Sequence, residues 1–298
     1  MLAKLPPFDY CQPASLKEAL ALMGRFDGNV GLLAGGTDLL VAMKEQERSH
    51  RLLLDIKRVP ELTAVTTDNA RLCFGSAVTT RSIARSRLVR ERIPLLSQAL
   101  QVLGSMQIGN RATIGGNLCN ASPAADSAPP LLVLDASVKL VGEKGERRLP
   151  LESFFLAPGK TVLEREILTE IQVPAAPAQG RGVFYKLGPR GAPEDICIVS
   201  VGLFAVPDAA RMIWKEVRIA LGAVAPTPIR ARRAEEAMRG QLIGGKAGAD
   251  AARLAAEKDA RPISDLRGSA RYRSAMVRLL VERALEQVTR ELSGETTL

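Results

Sequence analysis

The chain has 298 residues, of which 46% are apolar and 24% charged. That length suits two ordinary domains, and that composition excludes a disordered chain. The formal charge of +9 is spread over 81-RSIARSRLVRER-92, 230-RARR-233 and 267-RGSARYR-273, with only 4% aromatics, whereas a nucleic-acid binder would gather it into a stripe with interleaved aromatics. Solvated faces and a docking surface for an acidic partner are the reading instead, with no nucleic acid. Cys11, Cys73, Cys119 and Cys197 lie far apart and His50 is the sole histidine, so a zinc site or a four-cysteine cluster on this chain is excluded. The segment MLAKLPPFDY has no apolar core of signal-peptide length. The most apolar stretch, Ile196 to Val206, is about half of what a membrane span needs. A cytoplasmic protein without a membrane span is the expectation.

In chain order, Ser15-Leu16-Lys17-Glu18 is a capping box that opens a helix, ended at Gly24. Val30 to Ala34 reads as a short buried strand running into Gly35-Gly36-Thr37-Asp38, and Leu52 to Ile56 as another strand. Helices are expected over Ile83–Arg90 and from Pro94, a first-turn proline, to Leu103. Thr113-Ile114-Gly115-Gly116-Asn117 reads as a second strand-to-glycine loop. An apolar run at Leu131–Leu134 precedes β runs at Val138–Val141 and Ile167–Val173. The segment 174-PAAPAQGRG-182 is the expected domain boundary. Beyond it Val183–Leu187, Ile196–Val206 and Ile213–Leu221 suggest a three-stranded antiparallel sheet, followed by helices at Arg232–Arg239, Ala247–Lys258 and Ser269–Leu292. Strands and helices mix without regular β-α-β alternation, an α+β pattern.

A dinucleotide carries a doubly charged diphosphate, and the usual cradles for it are missing. No G-x-G-x-x-G occurs, and the Gly159-Lys160-Thr161 ending of a P-loop has Phe154 where the first glycine must stand. What remains is a pair of glycine turns, Gly35-Gly36 and Gly115-Gly116, whose backbones can approach phosphates closely and point N–H groups at them. Thr37 and Asn117 add side-chain donors. Asp126 reads alone as a helix N-cap before 127-SAPPLLVL-134 or as a site residue, and Lys186 as a solvated charge. Arg190 and Asp195 read as a loop-ordering pair, Tyr272 as packing, and Cys119 as a small buried hydrophobe.

Ala34-Gly35-Gly36-Thr37-Asp38-Leu39 is followed about eighty residues later by 107-QIGNRATIGGNL-118 and 121-ASPAAD-126. Phe155, 158-PGKT-161, Glu166-Ile167-Leu168, Lys186, Arg190, Asp195-Ile196, 221-LGAVAPTP-228 and Tyr272-Arg273 come next in order. This succession resembles the FAD-binding subunit of the xanthine dehydrogenase and carbon monoxide dehydrogenase family over essentially the whole chain. The resemblance implies a vanillyl-alcohol-oxidase-type flavoprotein fold over residues 1–175, with subdomains at about 1–57 and 58–175. A C-terminal α+β domain over 176–298 would carry a three-stranded sheet and helices. It implies FAD held by Leu33, Ala34, Gly35, Gly36, Thr37, Asp38 and Leu39 and by Thr113, Ile114, Gly115, Gly116 and Asn117. Asp126, Leu168 and Lys186 would approach other parts of the cofactor.

Two positions depart from the relatives. Gly109 stands where many have arginine, and Leu103 where some place an aromatic near the isoalloxazine. The cysteine-rich insert of one branch is absent, since Cys119 runs directly into Ala124–Leu134. Implied partners are a large molybdopterin-binding subunit and a small subunit with [2Fe–2S] clusters, in a heterotrimer or a dimer of heterotrimers. Electrons would pass from the clusters to FAD on this chain and on to NAD, a quinone, a carrier or oxygen. No catalytic side chain and no metal site are expected here. The alternative is a stand-alone flavin oxidoreductase of the same fold.

Overall fold

The structure is a computed structural model that describes residues 4–26, 29–192 and 194–293. It opens with β1 (Asp9–Cys11), α1 (Leu16–Arg25), β2 (Val30–Leu33), α2 (Leu39–Lys44) and β3 (Leu52–Asp55). The Ser15 hydroxyl accepts from the Glu18 amide at 3.2 Å and the Glu18 carboxylate accepts from the Ala14 amide at 2.7 Å, so the expected cap forms. The three strands make a parallel sheet in the order β1-β3-β2. Buried at every position, β3 takes the centre, as its unbroken apolar run requires. That leaves β2 as an edge strand, with its flank open toward the next unit.

The second unit contains β4 (Val65–Asp68), β5 (Arg71–Gly75), α3 (Thr80–Arg85), α4 (Arg87–Arg92), α5 (Pro94–Gln101), α6 (Met106–Gly109), α7 (Ile114–Cys119) and α8 (Ala128–Val133). It continues through β6 (Ser137–Gly142), β7 (Gly145–Pro150), the small pair β8 (Phe155–Ala157) and β9 (Lys160–Thr161), and β10 (Glu166–Val173). Its sheet has the order β4-β5-β10-β6-β7 and is antiparallel throughout. The single helix expected over Ile83–Arg90 is divided, because Ser86 sits in extended backbone and ends α3 as it starts α4. A larger difference concerns Thr113–Asn117, which is no strand end. Thr113 is the N-cap of α7, and its hydroxyl accepts from the Gly116 amide at 3.0 Å. A threonine three residues ahead of a free amide wins over the β-like look of Thr-Ile.

The third unit is β11 (Arg181–Leu187), β12 (Val199–Asp208), β13 (Ile213–Gly222) and the two-residue β14 (Ile229–Arg230), with α9 (Arg232–Met238), α10 (Ala247–Leu254) and α11 (Ala270–Ser293). The three long strands are antiparallel in chain order, and β14 adds a short fourth. The large core joins this unit to the second, since Phe184, Phe204, Val206 and Ala220 pack in one cluster with Leu96, Leu131 and Val133. Gly202 on β12 meets α8 so closely that a Cβ there would stand 3.0 Å from the Pro129 carbonyl. Among the described residues, no helix is long and apolar enough to cross a membrane.

Cations fasten that contact. Arg218 donates to the Val133 carbonyl at 3.1 Å and pairs with Asp135 at 2.6 Å. Arg230, 8% exposed, donates to the Leu132 carbonyl at 3.2 Å and pairs with Asp135 and Glu235. Removing one partner of a buried pair costs more than the pair contributes, because the other charge is stranded. Replacing Arg230 with Leu should therefore destabilise the chain by about 3 kcal/mol, measured as a shift of the urea unfolding midpoint at constant slope.

Candidate functional site

A groove of about 420 Å³ runs between the edge of β2 and the segment that carries α6 and α7. Its walls include Ala34, Gly35, Gly36, Thr37, Asp38 and Leu39 on one side and Thr113, Gly116 and Asn117 on the other. The two glycine segments therefore face each other. Gly35 is what permits it: a Cβ there would lie 2.3 Å from the Arg111 carbonyl oxygen and 2.8 Å from the Ala112 Cα. Backbone cannot yield as a side chain can, so only glycine allows this approach. Gly36 has a φ of +75°, which turns the chain from β2 into α2.

Distant parts of the sheet hold the second segment in place. Thr169 lies at a bulge between β10 and β6, and its carbonyl accepts from the Ser76 amide at 3.0 Å. The Ser76 carbonyl accepts from the Gly115 amide at 2.9 Å, and the Val78 carbonyl from the Ile114 amide at 3.0 Å. A Cβ on Gly115 would sit 2.5 Å from the Ser76 Cβ, so this glycine serves the seam between α7 and the turn after β5. The sequence suggested that both turns aim amides at a ligand. The structure corrects this for the second: the Ile114, Gly115 and Gly116 amides are already bonded within the protein. By contrast, among the described residues the amides of Gly35, Gly36, Thr37 and Asp38 have no protein acceptor. Four donors on one open turn make an anion-binding concavity.

From α7 the groove receives side chains. Asn117 accepts from the Ser127 hydroxyl through its Oδ1 at 2.6 Å, an arrangement that leaves its amide nitrogen as a donor. Cys119 also lines the groove, and burial pushes its thiol up to about 12, which keeps it an unreactive neutral group. Other groove residues were not assigned to the cofactor from sequence, although Ile108 and Ala112 lie inside the 107–118 stretch. Arg48 and His50 arrive from the turn before β3, and Ile108, Ala112 and Asn120 from the flanks of the second segment. Leu103 lines it too, 7% exposed.

The remaining expected residues lie elsewhere. Leu33, Ile114 and Gly115 stand behind the groove wall rather than on it, and Leu168 is buried in the large core. Asp126 and Lys186 meet across the contact between the second and third units, 2.7 Å apart, with side chains 8% and 6% exposed. Asp126 is not a helix cap; Ser127 holds that position. The Lys186 ammonium also donates to the Val102 carbonyl at 2.7 Å, whereas the Asp126 Oδ1 is buried without a hydrogen-bond partner. Arg190 and Asp195 close their own loop, with the carboxylate accepting from the Arg190 amide and Nε at 2.8 Å each. Larger hollows of about 710 and 730 Å³ lie at the 174–182 linker and between α10 and α11, and neither touches Gly35-Gly36 or Gly115-Gly116.

Burial raises the Asp126 carboxyl to about 6 although Lys186 opposes the shift. The folded flavin-free chain thus keeps a proton over a window in which the unfolded chain, with a value near 3.8, has released it. The contribution of Asp126 to stability should therefore be present below about pH 4 and be lost as pH rises to about 6. The difference in urea unfolding free energy between the parent chain and Asp126→Asn should shift against the parent across this range and stay level above it.

Comparison with known proteins agrees with this architecture. A family model described as the FAD binding domain in molybdopterin dehydrogenase matches residues 6–176, and one described as the CO dehydrogenase flavoprotein C-terminal domain matches residues 183–288. The carbon monoxide dehydrogenase medium chain of Hydrogenophaga pseudoflava is 35% identical, over 94% of this chain and 96% of that one. A putative xanthine dehydrogenase FAD-binding subunit of Escherichia coli is 30% identical, over 96% of this chain and 97% of the relative. Among solved structures, a carbon monoxide dehydrogenase of H. pseudoflava superposes with a TM-score of 0.91 at 34% identity, covering 95% of this chain and 97% of that chain. Quinoline 2-oxidoreductase of Pseudomonas putida 86 gives 0.90 at 27%, covering 97% and 99%. With two family models spanning both halves and a groove formed by its glycine turns, this chain belongs to the FAD-binding medium subunits of the molybdenum hydroxylases, oxidoreductase subunits related to those of carbon monoxide and xanthine dehydrogenases.

Proposed function

We propose that this chain is the electron-transfer subunit of a heterotrimeric-type molybdenum hydroxylase. It holds FAD between the [2Fe–2S] clusters of a small partner and an external acceptor, while a large molybdopterin-binding subunit oxidises the organic substrate. The complex works in the cytoplasm, as a heterotrimer or a dimer of heterotrimers. Relatives named as medium chains or FAD-binding subunits of such dehydrogenases support this reading. The observation that carries it is the juxtaposition of Gly35 with Arg111 and Ala112, which sets the unbonded amides of residues 35–38 into the groove that α7 walls.

Those residues fit a dinucleotide. Amide donors to a charged acceptor contribute roughly 1.5–3 kcal/mol each, so a diphosphate on this turn needs no cradle from α7. Thr37 and the Asn117 amide extend the donor set along both walls, with Leu33, Ala34 and Leu39 shaping the turn from below. Thr113 fixes α7 by its cap, and Ile114 and Gly115 fix it against the sheet. Asp126, Leu168 and Lys186 belong to the cofactor region in this proposal. The orphaned Asp126 oxygen is a buried acceptor that a donor from the cofactor would satisfy. Flavin, when bound, supplies one-electron uptake and two-electron release; the chain positions it and keeps nearby groups such as Cys119 inert.

Gly36→Val should lose FAD at least tenfold in affinity, since a β-branched residue at positive φ costs about 1–3 kcal/mol and opens the turn. Gly35→Ala should lose more, because it drives the two walls apart. Both are checked by flavin absorbance and fluorescence titration of the purified chain, with thermal melts of the flavin-free proteins to verify folding. Full flavin content in both variants would remove the groove from consideration. Turnover of an organic substrate by the chain without partners would favour the stand-alone flavoenzyme.

A further inference from the structure

Beyond the glycine turns, the groove carries one cationic side chain, Arg48, one imidazole, His50, and one anionic side chain, Asp38. Arg48 and His50 come from one short turn that is stitched at both ends. The Ala42 carbonyl at the close of α2 accepts from the Glu47 amide at 2.9 Å and the Arg48 amide at 3.3 Å. Further on, the Arg51 amide donates to the Asn29 carbonyl at 3.1 Å and to its side chain at 3.0 Å, just before β2. The His50 ring packs close to β2: a Cβ on Gly31 would stand 2.8 Å from its Cδ2. Gly31 is thus the third glycine on which the groove depends, here to let an imidazole line the edge of the strand.

Burial, and after it the charge of Arg48, holds His50 below its ordinary value, so the flavin-free chain keeps the imidazole neutral at pH 7. Neither side chain has a hydrogen-bonding or ion-pairing partner among the described residues. Arg48 is exposed and His50 half-buried. Both line the groove that also holds the four unbonded amides, and Asp38 is the one anionic side chain among its lining residues. We propose that Arg48 and His50 form an edge that binds the phosphate-bearing part of the dinucleotide, with His50 taking up a proton as it does so, completing what the glycine turn begins. The proposal rests on the FAD reading and names the groups that give the groove its charge selectivity. The other titratable groups that line the groove are Asp38, the N-cap of α2, and Cys119 on α7, which stays neutral.

The test uses the full flavin-free chain and its Arg48→Gln, His50→Gln and double variants, titrated with FAD and with ADP at low and high salt. The double variant is expected to bind FAD at least about tenfold more weakly at low salt and to show a flatter salt dependence. ADP, as a competitor, should weaken in parallel. Because His50 is the single histidine of the chain, its ring signals can be followed by NMR, and its pKa should rise when FAD or ADP is added. Parent-like FAD affinity and salt dependence in the double variant, or a His50 pKa unmoved by FAD, would overturn this edge and leave the flavin reading standing. Failure of the parent chain itself to bind FAD would remove both.

Discussion

The whole arrangement depends on one missing methyl group. Gly35 lets the turn after β2 press its backbone against Arg111 and Ala112, and no side chain of any size could be accommodated there. Since the neighbour is main chain, relief would require moving α6 and α7, which are tied through Ser76 and Thr169 to the centre of the five-stranded sheet. The parallel and antiparallel units are thereby fixed relative to each other at the place where a cofactor must bridge them. Rigid elements with closely approaching backbones hold binding groups more reproducibly than loops do.

The two glycine pairs, alike in sequence, serve different physical ends. The first leaves its amides unbonded and exposes them; the second uses its amides up in a capped helical turn and a seam. Asymmetry of this kind makes chemical sense. One turn offers unbonded amide donors, while the opposite wall supplies shape and a side-chain donor. The pair Asp126–Lys186 adds a buried charge couple at the next contact, where the third unit meets the second. Its orphaned oxygen marks a place where the protein alone leaves an acceptor unsatisfied.

Much of this was legible in the residues. Periodicity and caps gave α1, the long strands of the third unit and the helices after it, and the glycine turns pointed to the groove. Elements without an apolar rhythm were not legible: β4 is exposed at all four positions, and its hairpin with β5 turns on Asn69 and Ala70 at positive φ, with no glycine to signal it. The helical state of Thr113–Asn117 was hidden because Thr and Ile favour strands until a cap is recognised. Pairings that depend on tertiary approach were invisible as well. Asp126 and Lys186 are sixty residues apart, and the His50 ring packs where a Cβ on Gly31 would stand 2.8 Å from it.

The arginines that cross from the third unit end on the final carbonyls of α8, at Leu132 and Val133. Those oxygens lie at the negative pole of a short helix, where carbonyls run out of intrahelical donors; Leu132 also accepts from the Asp135 amide at 3.1 Å. Each half of the molecule therefore completes the hydrogen bonding of the other, and their apolar interiors are continuous. Covalent continuity through 174–182 then matters chiefly for assembly, by keeping the halves at high effective concentration while they dock. A chain nicked there would behave as a tight two-piece complex, and the bond broken would be among the least important in the finished molecule.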